Sequence, residues 1–125
     1  LLNEAYYELL KTGQKMVDGI PVLSPTCLIP FKAKAWLDLT ERKLNGEQVD
    51  SKNIKKHKND VFRLAQLITA NTRQVLSPEI AEDMKKFLSE IADETVDLKS
   101  LGIGGTDKQK MTDMLYRCYG LKDNT

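Results

Sequence analysis

One histidine and two cysteines are spread through 125 residues, and that scarcity excludes a great deal. A structural zinc site draws four ligands from Cys and His at short spacings. Here Cys27 and Cys118 lie far apart, with no C-x-x-C and only His57 to join them. The spacing leaves a Cys27–Cys118 disulfide open; two packed thiols in a reducing cytosol are the plainer reading. Excess charge is missing as well: 19 Lys and Arg stand against 18 Asp and Glu, a formal net charge of +1. No global field therefore marks the chain as a nucleic-acid or membrane binder, and any such binding falls to a local patch. No apolar run approaches the roughly 20 residues that span a bilayer, and no basic segment precedes an apolar one at the start. A cytoplasmic protein with no membrane partner is the expectation. The glycine-rich stretch Gly102-Ile103-Gly104-Gly105-Thr106 lacks the Lys-Ser/Thr ending of a phosphate loop and follows no convincing strand, so it reads as a loop between helices.

What is present suits one mainly helical region. A chain of this length buries roughly two-thirds of its unfolded surface, enough for a core. Its start at Leu1, already inside the helical pattern of Leu2, Tyr6, Leu9 and Leu10, reads as a piece of a longer protein. A first helix over 1–12 is expected to end at Gly13 in the left-handed conformation. A β-hairpin over 14–23 then turns at Asp18-Gly19, with Pro21 and the short arms marking it as an edge ribbon that something else should pair or cover. A motif-bearing helix pair follows over 24–70. Ser24-Pro25 opens it, Pro30 is expected to confine the main helix to the residues from about 30 onward, and Asn45-Gly46 ends it. Asp50 or Ser51 caps the partner helix, which runs to about Ile68 with Ile54, Val61, Leu64, Ala65 and Ile68 on one face. Residues 77–121 supply two more helices, one opened by Ser77-Pro78 and one by Asp107. The fold class is mainly α, with four or five helices and one small N-terminal hairpin.

The two central helices carry the residues that invite chemistry. At 100° per residue, Ile29, Ala33, Trp36 and Thr40 centre the buried face of the first, Lys32 flanks it, and Lys34 points to solvent. A lysine at Lys32 either snorkels, burying its stem and wetting its ammonium, or aims that ammonium into a cleft to meet an anion such as phosphate. On the second helix His57 lies inside the stripe, with Lys58 and Asp60 at its two edges. His57 alone reads as a core-edge residue. Asp60 can orient a lysine or a ligand hydroxyl, with an ordinary ion pair to Lys56 or Arg63 as the competing reading. The basic run over 52–58 has no aromatic residue for base stacking and reads more simply as a solvated face.

Val22-Leu23-Ser24-Pro25 through Leu28, then Lys32-Ala33-Lys34-Ala35, Arg42, and Lys58-Asn59-Asp60-Val61-Phe62-Arg63-Leu64 together resemble the C-terminal half of AbiEii-type nucleotidyltransferases. These are the toxin-like proteins of bacterial type IV toxin–antitoxin and abortive-infection systems. The resemblance covers about Val17 to Ile68: a strand, a helix with K-x-x-A and a following basic residue, then a helix bearing (R/K)-D-x-x-D-L. It implies an α+β parent in which Lys32, with Lys34 as the alternative, and Asp60 are catalytic. Lys34, Arg42 and Lys58 are implied as nucleotide or substrate contacts. Arg63 stands where the family often has a second aspartate. The family's G-(S/G) turn and D-x-D strand, which hold its metal, have no counterpart in this sequence. Mg and a nucleoside triphosphate are thus implied for the parent alone, with no metal ligand here. The implied partners are an upstream nucleotidyltransferase domain and RNA or an antitoxin protein; this chain by itself should be inactive. The rival expectation is a non-enzymatic helical module that binds RNA or a protein through the basic run or the hairpin edge.

Overall fold

The computed structural model describes residues 3–121. Its elements run α1 (Glu4–Thr12), β1 (Gln14–Val17), β2 (Ile20–Leu23), α2 (Pro25–Leu44), α3 (Ser51–Ala65), α4 (Pro78–Ile91), a 3-10 turn (Lys99–Leu101) and α5 (Lys108–Cys118). The mainly helical class with one small hairpin is as the sequence predicts.

Helix α2 is the axis. It runs antiparallel to α3 through a short connection, and α4 and α1 pack on its other sides. Ile29, Ala33 and Trp36 of α2, Val61 and Phe62 of α3, and Met84, Phe87 and Leu88 of α4 are buried together. Trp36 meets Phe87 edge to face, with ring centroids 5.4 Å apart, the geometry that aromatic quadrupoles favour. Tyr6 stands likewise against Phe31. Leu115 and Cys118 of α5, with Tyr119 just beyond it, close the core from below.

The helix borders follow local chemistry. Asn3, Asp50 and Asp107 each accept a hydrogen bond from a first-turn backbone N–H of α1, α3 and α5, satisfying donors that a helix start leaves open. At the other end of α2, Gly46 takes a positive φ and the Glu47 N–H returns to the Arg42 carbonyl, closing the helix where Asn45-Gly46 predicts it.

Several expectations are corrected. Helix α2 does not wait for Pro30 but runs unbroken from Pro25. A proline in mid-helix leaves the carbonyl four residues earlier without its N–H partner. Here that carbonyl, of Thr26, accepts the Tyr119 hydroxyl at 2.7 Å, so the missing bond is replaced from the far end of the chain. Gly13 is not left-handed; its φ is −84°. Its bare Cα is needed for a close approach instead, because a Cβ there would lie 2.6 Å from the Cys27 sulfur. Helix α3 stops at Ala65, although Ile68 is still buried beyond it. Lys34 is half-buried rather than solvated, 3.3 Å from Asp38 and 3.8 Å from Asp83, because α4 covers the side of α2 that a single wheel leaves to water. Cys27 and Cys118 are both buried and free. The stretch 102–106 is the loop that joins the 3-10 turn to α5.

Candidate functional site

The antiparallel packing of α2 on α3 sets Lys32 opposite Asp60, and the two side chains meet: Lys32 Nζ lies 3.1 Å from Asp60 Oδ2. Arg63, one turn beyond Asp60, donates from Nη1 to the other carboxylate oxygen at 2.9 Å. Each oxygen of Asp60 thus holds one cation. The carboxylate is only 16% exposed, against 31% for Lys32 and 47% for Arg63, so the negative charge is the deepest member of the cluster. Burial alone would raise the Asp60 pKa; hydrogen bonds and charge from Lys32 and Arg63 outweigh it and hold the carboxyl below its ordinary range.

His57 sits one turn before Asp60. Burial lowers its pKa, the Lys32 ammonium lowers it further, and Asp60 opposes both in part. The imidazole is therefore neutral near pH 7, and its buried Nδ1 has no hydrogen-bond partner among the described residues. With Lys32 and Arg63 charged, Asp60 ionised and His57 neutral, the cluster carries one net positive charge. An ammonium has three donors. Asp60 takes one from Lys32, and the partial exposure of that side chain leaves its head within reach of an anion. The cluster suits a phosphate oxygen. Among the described residues no three His, Cys, Asp or Glu side chains converge as metal ligands.

The other residues singled out in the sequence lie apart from this cluster. Lys58, on the same helix, is 8% exposed and donates to Glu94 Oε1 and to the Thr95 carbonyl, both at 3.1 Å, tying α3 to the segment after α4. Lys34 faces α4. Arg42 is exposed in the last turn of α2, ten residues from Lys32 and so about 15 Å further along the axis.

Two further polar arrangements escaped the sequence reading. The buried Tyr6 donates its hydroxyl to Asp83 Oδ2 at 2.7 Å, and Lys34 approaches the same carboxylate; burial and that anion hold the phenol protonated. Lys108 donates to the carbonyls of Ile91, Ala92 and Glu94 at 2.8–3.2 Å, capping α4 from the start of α5. No spacing links partners so distant in sequence. The absence of any basic residue in the last turn of α4 was the one available hint that a cation must come from elsewhere.

Comparison of the chain with family models, with curated proteins and with solved structures returns no match. Among the described residues no helix is long and apolar enough to cross a membrane.

Proposed function

We propose that α2 and α3 form the nucleotide-phosphate arm of an AbiEii-type nucleotidyltransferase, the helical C-terminal part of a larger enzyme. The observation that supports this reading is the 3.1 Å contact between Lys32 and Asp60, the two residues the motif resemblance singles out from separate helices. Asp60 acts as a positioning residue. It fixes the Lys32 head, while Arg63 keeps the carboxylate ionised and turned. Lys32 uses its remaining N–H donors to hold phosphate oxygens and to balance charge gathering on them during transfer. In the family, Mg and the nucleoside triphosphate supply the reacting groups, and their carboxylate ligands belong to a domain outside this chain, paired with RNA or an antitoxin as further partner.

The test uses the full-length parent and this chain side by side. Lys32→Ala in the parent should lower nucleotide transfer by about 10²–10³-fold, the usual effect of removing one transition-state donor, with Asp60→Asn lowering it less and both variants remaining folded. The isolated chain titrated with Mg-nucleotide should bind weakly. Tight binding by the chain alone, or a Lys32→Ala parent with unchanged transfer, would refute the proposal.

A further inference from the structure

The β-hairpin is apolar, yet it packs on almost nothing. All four residues of β1 and the first three of β2 are exposed: Met16 by 66%, Val17 by 54%, Ile20 by 63% and Val22 by 43%. A two-stranded ribbon by itself is marginal in water, so this surface favours a third strand.

The register decides which edge can take one. The pairs are Val17 with Ile20, Met16 with Pro21, Lys15 with Val22 and Gln14 with Leu23, around a two-residue turn with φ of 50° at Asp18 and 78° at Gly19. In such a hairpin the pair beside the turn exchanges both hydrogen bonds and the pattern alternates from there. Lys15 and Val17 therefore bond inward, and the backbone of Gln14 and Met16 points outward. On β2 the outward residues are Pro21 and Leu23, and Pro21 has no N–H to give, which blunts that edge. Among the described residues no backbone group outside the hairpin bonds to the open edge of β1.

Charge distinguishes the possible occupants. Lys15, Val17, Ile20 and Val22 share one face of the ribbon. Lys15 also lines a cleft of about 300 Å³ at its foot, together with Arg73, Ser24 and Thr26, and among the described residues no Asp or Glu lines that cleft. A second copy of the chain fits poorly. Pairing Gln14 with Met16 of the copy sets Lys15 opposite its own image, a like-charge contact, and the neighbouring registers run into the Asp18 turn or α1. We infer that β1 is a docking edge for an extended segment of a partner protein, with apolar side chains beside Met16 and Val17 and an acidic side chain in the Lys15–Arg73 cleft. Main-chain pairing supplies the affinity and the cleft supplies the selectivity. The inference is independent of the nucleotide-arm reading and stands or falls separately.

The probe is a random peptide library selected on the full 125-residue chain, with the enriched peptides then titrated into the isotope-labelled chain and followed by NMR. The expected outcome is enrichment of β-branched peptides carrying Asp or Glu, with amide shifts and slowed exchange at Gln14 and Met16. Lys15→Glu should weaken binding at least tenfold. Met16→Pro removes an outward N–H while sparing the inner pairs, and should abolish binding with the Lys15 and Val17 amide signals preserved. No enrichment, peptides without acidic residues, or shifts that map away from β1 would overturn the inference. So would sedimentation showing a dimer that Met16→Pro dissolves.

Discussion

At the residue scale the most consequential contact is the Tyr119 hydroxyl on the Thr26 carbonyl, because it permits a proline where a helix ordinarily breaks. Tyr119→Phe leaves that buried carbonyl without a partner, and should lower unfolding free energy by about 1–3 kcal/mol. In Pro30→Ala the new N–H can serve the same carbonyl, so the tyrosine loses much of its effect there. A double-mutant cycle by denaturant unfolding reads the coupling, and strict additivity would refute the account. Pro30 was legible in the sequence as an anomaly, but not its resolution, since no local pattern links residue 26 to residue 119. Acid sensitivity belongs to the same scale. The folded-state pKa of His57 is lowered, so the unfolded chain takes up the proton first; stability is fully present above roughly pH 6.5 and falls as pH drops through that value. Lys32 from α2 and Lys56 and Asp60 from α3 are the charges that act on it. His57→Gln should flatten the loss of stability as pH falls below about 6.5. Asp60, also lowered, adds a further loss below roughly pH 4, as its carboxylate is protonated and releases Lys32 and Arg63.

At the element scale, helix starts were readable and helix ends were less so. Asp50, Ser77 and Asp107 sit beside amphipathic runs and mark their starts by local chemistry, which side-chain spacing captures. The end of α4 instead rests on Lys108, a residue of the next helix. Lys108→Met should cost about 1.5–3 kcal/mol, the range for bonds to a charged donor, and should speed hydrogen exchange in the last turn of α4 and the segment after it. Unchanged exchange there would show that water serves those carbonyls as well. Gly13 teaches the same lesson. The residue type announced a special position, yet the reason was the Cys27 sulfur rather than the local φ.

At the scale of the whole molecule, α2 decides the site. It meets α3 on one side and α4 on another, so Lys32 and Lys34, two residues apart, are delivered to different carboxylates, Asp60 and Asp83. The Lys32–Asp60 pair is partly exposed, and solvent screening keeps its worth small. Lys32→Met should change stability by no more than about 1 kcal/mol. A lysine that folding hardly needs is free to serve a ligand, so this measurement separates the proposed role from a structural one. A loss of several kcal/mol would make Lys32 a fold determinant first.

Apolar residues at helical spacing, the Asp50 and Asp107 caps, the Ser-Pro helix starts and Asp18-Gly19 determined the helices and the hairpin, because periodicity and turn chemistry act over a few residues. The same local pattern placed Lys32 and Asp60 beside buried faces. Only the tertiary structure decided that these two meet, that Lys58 and Lys34 turn elsewhere, that Tyr119 repairs the helix at Pro30 and that among the described residues nothing pairs with the outer edge of β1. Each of those outcomes depends on which faces the packed helices cover, and on the need of every buried polar group for a partner that sequence distance does not reveal.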